Sequence, residues 1–227
     1  YYIARDIYKE YLDSFAQSPF GYRMRFFYAE ILWALKNFKL AADQYDQVVA
    51  LDKRGKFVKL AAYNAILCYE KLVEGVDEKA SGRIDEKAAK GTMAKLEVLK
   101  RLKKGQAYAP TDLSEWEQKL ANAYDTFVEV APKDNEVVKV KFKSARIYYV
   151  HNRFTDAAPR FGEIIDRWPN DPLARQGAEH ILESFNVREN WSELRKWSEK
   201  FTGKRRLMGD AKFARMVMDF LEGATFK

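Results

Sequence analysis

The chain has 227 residues, of which 47% are hydrophobic, 15% aromatic and 32% charged. So many aromatic side chains exclude a disordered chain, and 11 glycines and 6 prolines are too few for the strands and turns of a β-sandwich or β-barrel. The 40 Lys and Arg residues outnumber the 33 Asp and Glu residues, so a net charge of +7 attracts acidic partners of any chemical class. The composition favours an all-α fold.

The cysteine count and the lengths of the apolar stretches exclude some further features. Cys68 is the single cysteine, so an intrachain disulfide and a cysteine-based zinc cluster cannot form. No stretch approaches the ~20 uninterrupted apolar residues that a membrane span needs. The chain begins at Tyr1 inside a predicted helix. We therefore expect a fragment of a longer protein, with an upstream signal, lipid anchor or further domain removed.

An internal repeat organises the chain. Pro19 and Lys53 end two similar apolar runs and lie 34 residues apart. In the second run, residues at spacings of 3, 4 and 3 share one helix face, namely Phe38, Ala41, Tyr45 and Val48. The same spacing recurs twice, the second time with one polar residue, at Phe154, Ala157, Phe161 and Ile164 and at Trp191, Leu194, Ser198 and Phe201.

Another amphipathic helix precedes each of these helices, so the sequence predicts antiparallel helix pairs. In chain order we expect a half repeat at 1–19, pairs at about 20–53, 56–131, 135–169 and 172–201, and a capping helix at 210–222. Ala29 with Ala41, and Ala145 with Ala157, are each 12 residues apart. These small side chains let the two helices of a pair approach closely.

The period, the small residues and the closing prolines resemble the tetratricopeptide repeat (TPR) family over about four fifths of the chain. The match is good in RFFYAEILWALKNFKLAADQYDQVVALD and KFKSARIYYVHNRFTDAAPRFGEIIDRWP. It is degenerate elsewhere, and even in the first of these segments Arg25, Tyr28 and Ala29 replace the family's Trp, Leu and Gly. The resemblance implies an all-α, TPR-like α-solenoid of helix hairpins, folded as one superhelical domain over 1–227. The alternative is an unrelated all-α bundle whose apolar stripes recur.

The second pair contains an insert at 75–110, with a predicted helix at 92–103. The insert holds nine Lys or Arg against five Asp or Glu. Two basic patches result, one in the insert and one before the capping helix: Lys100, Arg101, Lys103 and Lys104, and Lys200, Lys204, Arg205 and Arg206. Such patches bind phosphates or an acidic protein surface, or they are solvated helix ends.

Catalytic and metal-binding residues form no recognisable pattern. His151 and His180 are the only histidines, and their separation of 29 residues is not a metal-ligand spacing. The sequence has no phosphate-binding glycine loop and no GxSxG nucleophile motif. We therefore expect no enzymatic activity, no cofactor and no metal.

The resemblance implies that the first helices line a concave, partner-binding groove. Its groove-facing positions are Arg23, Phe26, Phe27, Glu30 and Trp33, then Tyr63, Asn64 and Leu67, then Lys139, Phe142, Lys143, Arg146 and Tyr149, and finally Glu179, His180, Glu183 and Asn186. The aromatic members either anchor side chains of a peptide or pack between repeats. Lys139, Lys143 and Arg146 lie on one helix face and are suited to carboxylates of a partner.

These features predict a non-enzymatic scaffold that binds one or more proteins or peptides in the groove. The degenerate, Tyr-rich repeats are similar to TPR proteins of the bacterial envelope, including outer-membrane assembly and gliding-motility lipoproteins. That similarity implies a location in the periplasm or cell envelope, with the cytoplasm as the alternative. The competing hypothesis is nucleic-acid or anionic-surface binding through the basic patches at 100–104 and 200–206.

Overall fold

The computed structural model describes residues 1–75 and 108–226. Over these ranges the chain forms eleven α-helices and no strand, which confirms the predicted all-α, TPR-like class of helix hairpins. The described residues fall into two compact units, the first comprising 1–75 and 114–137 and the second 108–113 and 138–226. The prediction of a single superhelical domain stays a prediction.

Unit 1 is a layer of helices in which each helix packs against the next. The helices are α1 (Tyr2–Ser14), α2 (Gly21–Ala34), α3 (Phe38–Leu51), α4 (Val58–Val73) and α5 (Glu115–Val130). α2 packs on α3, α3 on α4, and α4 on α5. Helices α2 and α3 lie within residues 20–53, and α4 and α5 lie within 56–131. The division of the chain into repeats at those bounds stays a prediction.

Unit 2 contains the remaining helices, and its boundary falls at the start of the first of them. They are α6 (Val137–Val150), α7 (Phe154–Arg167), α8 (Pro172–Val187), α9 (Trp191–Thr202), α10 (Arg205–Met208) and α11 (Ala211–Thr225). The core includes Phe161, Phe185, Phe201 and Phe213, each at most 2% exposed. α11 packs on α9 and begins at the N-cap Asp210, as expected for the capping helix.

One turn geometry joins the helices of three pairs. Lys36, Asn152 and Glu189 each follow a first helix with φ of 59°, 57° and 53°, in the left-handed region. At the first turn the Lys36 N–H donates to the Trp33 carbonyl and the next N–H donates to the Leu32 carbonyl, both at 2.9 Å. The other two turns repeat these bonds. They satisfy carbonyls that the end of a helix leaves unpaired.

Most of the predicted insert, including the helix at 92–103, lies outside the described residues. The described end of the insert packs on the α6–α7 turn of unit 2. Tyr108 lies edge-on to Phe154 with ring centroids 6.3 Å apart, and the Asn152 side-chain amide donates to the Ala109 carbonyl at 3.0 Å. The Thr111 N–H donates to the His151 carbonyl at 2.9 Å.

Close packing in unit 2 leads to a prediction for Gly162 of α7. An added Cβ would lie 2.7 Å from Cη2 of Trp197, a side chain that is 9% exposed. We expect Gly162→Ala to lower the free energy of unfolding by about 1–3 kcal/mol, because the indole must move. Urea unfolding measures the change.

The matched control is Gly223→Ala in α11, where a Cβ meets nothing within 4 Å. Alanine there favours the helix and should raise the free energy of unfolding by about 0.5–1 kcal/mol. Equal effects of the two substitutions would contradict the packing of Trp197 on Gly162.

Candidate partner-binding surfaces

In unit 1, the predicted groove positions of α2 and α4 form a surface with a polar centre. Arg23 is exposed, and the other positions are half-buried, namely Phe27, Glu30, Trp33, Tyr63, Asn64 and Leu67. Glu30 and Asn64 form the polar centre. One carboxylate oxygen, Glu30 Oε1, accepts hydrogen bonds from the Tyr45 hydroxyl at 2.5 Å and from Asn64 Nδ2 at 2.8 Å. These bonds link α2, α3 and α4.

The polar centre has acceptors left for another molecule. Tyr45 is fully buried, and burial, followed by the Glu30 carboxylate, raises the pKa of its hydroxyl, so the hydroxyl stays protonated and donates. Among the described residues, Glu30 Oε2 and Asn64 Oδ1 accept no hydrogen bond. Each of these oxygens can accept an N–H from a bound chain.

Three aromatic groove positions are buried. Phe26 is 4% exposed and stacks on Phe57 with centroids 4.4 Å apart, whereas Phe142 and Tyr149 are 5% and 4% exposed. Both pack on Phe161, at 5.2 Å and 6.2 Å. The prediction that these three rings anchor a partner is therefore wrong, and the alternative of packing within the protein holds for them.

The other aromatic positions remain partly exposed to solvent. Trp33 lies edge-on to Phe38 at 4.9 Å, and Tyr63 is tilted against Phe127 at 5.7 Å. Phe27 lies beneath the Arg23 guanidinium, which is 5.4 Å from its ring centroid. Because these rings are half-buried, their role as anchors stays a prediction.

In unit 2, the predicted positions lie on α6 and α8. Lys139 is exposed, and the other polar members are half-buried, namely Lys143, Arg146, Glu179, His180, Glu183 and Asn186. His180 lies among three rings, with its centroid 4.9 Å from Tyr149, 5.6 Å from Phe161 and 6.1 Å from Phe142. Burial, and then the Arg146 charge, lowers the pKa of His180 to about 4. The ring is therefore neutral at neutral pH.

The polar atoms that are buried without a hydrogen-bond partner in the described structure include the Tyr149 hydroxyl oxygen and His180 Nδ1. Burial, followed by the Glu183 carboxylate, raises the pKa of Tyr149, so its hydroxyl keeps its proton. A buried polar atom without a partner costs about 1–3 kcal/mol, and native proteins contain few of them. No sequence pattern indicates this pair, because residues from two different helices create it.

The basic patches differ in what the structure shows. Lys100, Arg101, Lys103 and Lys104 lie outside the described residues. In the second patch, Lys200 and Lys204 both pair with Asp166, at 2.9 Å and 2.7 Å, whereas Arg205 and Arg206 are exposed. The single carboxylate of Asp166 therefore offsets one of the four positive charges of the described patch within unit 2.

Across residues 1–75 and 108–226, no three His, Cys, Asp or Glu side chains cluster in a way that could hold a metal ion. None of the helices described there is both long and apolar enough to cross a bilayer. Cys68 is buried, and burial raises the pKa of its thiol, so the sulfur is not activated as a nucleophile.

The beginning of unit 1 matches a known family. Residues 1–55 match the tetratricopeptide repeat. The TPR match covers α1, α2 and α3, and it supports the family resemblance without supporting the narrower similarity to bacterial envelope proteins. None of the curated proteins matches the chain. TPR domains generally mediate protein–protein interactions and are typically non-enzymatic scaffolds.

Substituting two buried tyrosines compares how much each hydroxyl contributes to stability. Tyr45→Phe removes a hydrogen bond to a carboxylate and should lower the free energy of unfolding by about 2 kcal/mol. Tyr149→Phe removes a hydroxyl without a described partner and should lower it by less than about 0.5 kcal/mol, or raise it. Urea unfolding compares the two variants, and a larger loss for Tyr149→Phe would contradict the assignment.

The lowered pKa of His180 predicts a pH dependence of stability. Between about pH 6.5 and pH 4 the unfolded state binds a proton that the folded state does not. The free energy of unfolding should therefore fall as the pH falls, by up to about 1.4 kcal/mol per unit. His180→Phe keeps a ring among the aromatic neighbours and should show a shallower dependence in urea titrations. Identical slopes for the two proteins would contradict a buried neutral His180.

Proposed function

We propose that this protein is an interaction module that binds a segment of a partner protein on its first-helix surfaces. In unit 1 this surface belongs to α2 and α4, and in unit 2 to α6 and α8. The observation that carries the proposal is the polar centre of unit 1, where Glu30 and Asn64 hold free acceptor oxygens at the predicted groove positions. The TPR match at residues 1–55 supports the same function.

The chemistry of the α2–α4 surface suits a peptide segment. An extended peptide carries backbone N–H groups without intramolecular partners, and Glu30 Oε2 and Asn64 Oδ1 accept such donors. Leu67, Phe27 and Tyr63 are half-buried on the same surface. For each Å² of their apolar surface that a partner covers, the free energy of binding becomes more favourable by about 25 cal/mol. Because Tyr45 and Asn64 hold Glu30 in place, little side-chain entropy is lost on binding.

Nucleic-acid or anionic-surface binding gains no support from the described residues. That hypothesis needs cations that contact phosphates, and Lys200 and Lys204 are instead paired with Asp166. Because one carboxylate offsets one of the patch's four positive charges, a small excess of positive charge remains. The partner proposed here is therefore a protein.

A place in a bacterial envelope complex is the finer part of the proposal. It is motivated by the Tyr-rich, degenerate repeats and is supported by neither the fold nor the family match. Fractionation of native cells tests it, since the full-length protein should be found in the periplasm or cell envelope. Recovery from the cytoplasm alone would show that the location is wrong.

The binding proposal is tested with a double variant of the α2–α4 surface, Arg23→Glu with Leu67→Lys. Once a partner has been identified by crosslinking in native cells, its affinity for purified protein is measured by calorimetry. We expect binding to weaken at least about tenfold, because the variant places opposite charge and a buried cation in the contact. The thermal midpoint should change little, since Arg23 is exposed and Leu67 half-buried.

The matched control is Arg54→Glu with Leu40→Lys, which makes the same two exchanges at exposed positions outside α2 and α4. It should bind like the natural sequence. Equal weakening by both variants would indicate a nonspecific charge effect, and unchanged binding by the α2–α4 variant would remove this surface as the binding site.

A further inference from the structure

We propose that the α6–α8 surface of unit 2 binds an acidic side chain of the partner, whose carboxylate accepts hydrogen bonds from the Tyr149 hydroxyl and from His180 Nδ1–H. This inference rests on the proposed function, because it specifies the chemistry of the segment that unit 2 recognises. It concerns a different surface from the α2–α4 surface tested above.

Two buried polar atoms of unit 2 lie on rings that are in contact. Tyr149 is 4% exposed, its hydroxyl has no hydrogen-bond partner in the described structure, and the same holds for His180 Nδ1. Their rings are in contact, with centroids 4.9 Å apart, although they come from different helices. Two unsatisfied atoms on rings that are in contact indicate a place where one bound group completes both hydrogen bonds.

The Tyr149 hydroxyl and His180 Nδ1 can both act as hydrogen-bond donors. The Tyr149 hydroxyl keeps its proton, since burial and Glu183 raise its pKa. Burial and Arg146 lower the pKa of His180, so the neutral ring carries one N–H. His180 is half-buried, so its other nitrogen can accept from water while Nδ1 carries the proton. A group that receives both bonds must be an acceptor.

Charged side chains of α6 and α8 determine which acceptor the two donors favour. Lys139, Lys143 and Arg146 lie on α6 at spacings of 4 and 3 and therefore share one helix face. Of the two acidic positions on α8, Glu179 lies 3.7 Å from Nε of Arg175. Glu183, the other acidic position, is close enough to raise the pKa of the Tyr149 hydroxyl. The predicted groove positions of α6 and α8 together carry three positive and two negative charges, and this excess favours a carboxylate over a neutral carbonyl or a cation.

The depth of the donors favours a side chain as the source of the carboxylate. The Tyr149 hydroxyl lies below the protein surface, and an Asp or Glu carboxylate reaches below a surface on its methylene groups while its backbone stays outside. A chain-terminal carboxylate is attached directly to Cα, so its backbone would have to enter between α6 and α8. The proposal therefore commits to an acidic side chain.

The two histidines provide the assay. The imidazole C–H resonances of His180 and His151 are followed by NMR in the full chain at neutral pH and assigned with His151→Gln. The probes are three blocked tripeptides: acetyl-Ala-Glu-Ala-amide, its Gln counterpart, and acetyl-Ala-Ala-Ala with a free carboxylate. The Glu peptide should move the His180 resonance in a saturable way. The Gln peptide should bind at least about tenfold more weakly, because hydrogen bonds to a charged group are the stronger ones.

His151 is the internal control, because its Nδ1 already bonds with the Thr111 hydroxyl at 2.9 Å. Its resonance should not move. Tyr149→Phe should weaken binding of the Glu peptide at least about fivefold without lowering the thermal midpoint. Loss of a purely structural hydroxyl would lower the midpoint instead. Four outcomes would overturn the proposal: equal binding of the Glu and Gln peptides, binding of the free-terminus peptide alone, unchanged affinity of Tyr149→Phe, or no movement of His180 with any probe.

Failure here is distinguishable from failure of the proposed function. If the peptides fail while the Arg23→Glu, Leu67→Lys variant still abolishes partner binding, the interaction module stands and the carboxylate site does not. If the Glu peptide binds as expected while that variant has no effect, unit 2 alone carries recognition.

Discussion

Two helix pairs, α2–α3 and α6–α7, depend on the close approach of their two helices. In unit 1, Ala29 and Ala41 are completely buried, and Ala145 and Ala157 hold the equivalent positions in unit 2. A larger side chain at any of them would force the helices apart. The recurring turn, with one residue in the left-handed region and two backbone hydrogen bonds, reverses the chain within the same short distance. Where both constraints occur, they fix how the first helix of the pair presents its outer positions.

The first-helix surfaces differ in how they satisfy buried polar groups. In unit 1, the Tyr45 hydroxyl and Asn64 both donate to Glu30, so the polar centre is rigid and offers only its outward acceptors. In unit 2, the buried Tyr149 hydroxyl and His180 Nδ1 have no partner in the described structure. A satisfied network stabilises the fold, whereas an unsatisfied pair costs free energy that a bound group can recover. The two surfaces are therefore suited to opposite hydrogen-bonding chemistry.

The sequence predicted the helices well and the depth of individual side chains poorly. Spacings of 3 and 4 identified the apolar stripes, and Phe154 and Phe161 are indeed buried. The same method placed Phe26 in the groove, whereas its ring stacks on Phe57, 31 residues later in the chain. The left-handed turn residue was also missed, because Lys36 is not among the residues that usually mark that conformation.

By itself, the sequence determined the all-α class, the pairing of helices and the small residues at their contacts, because helical period and side-chain size are local properties. Only the tertiary structure decided which groove positions are exposed, how Glu30 is bonded, and that Tyr149 and His180 meet. Burial and hydrogen bonding depend on atoms contributed by other helices, and the spacing of residues along one helix contains no information about those atoms.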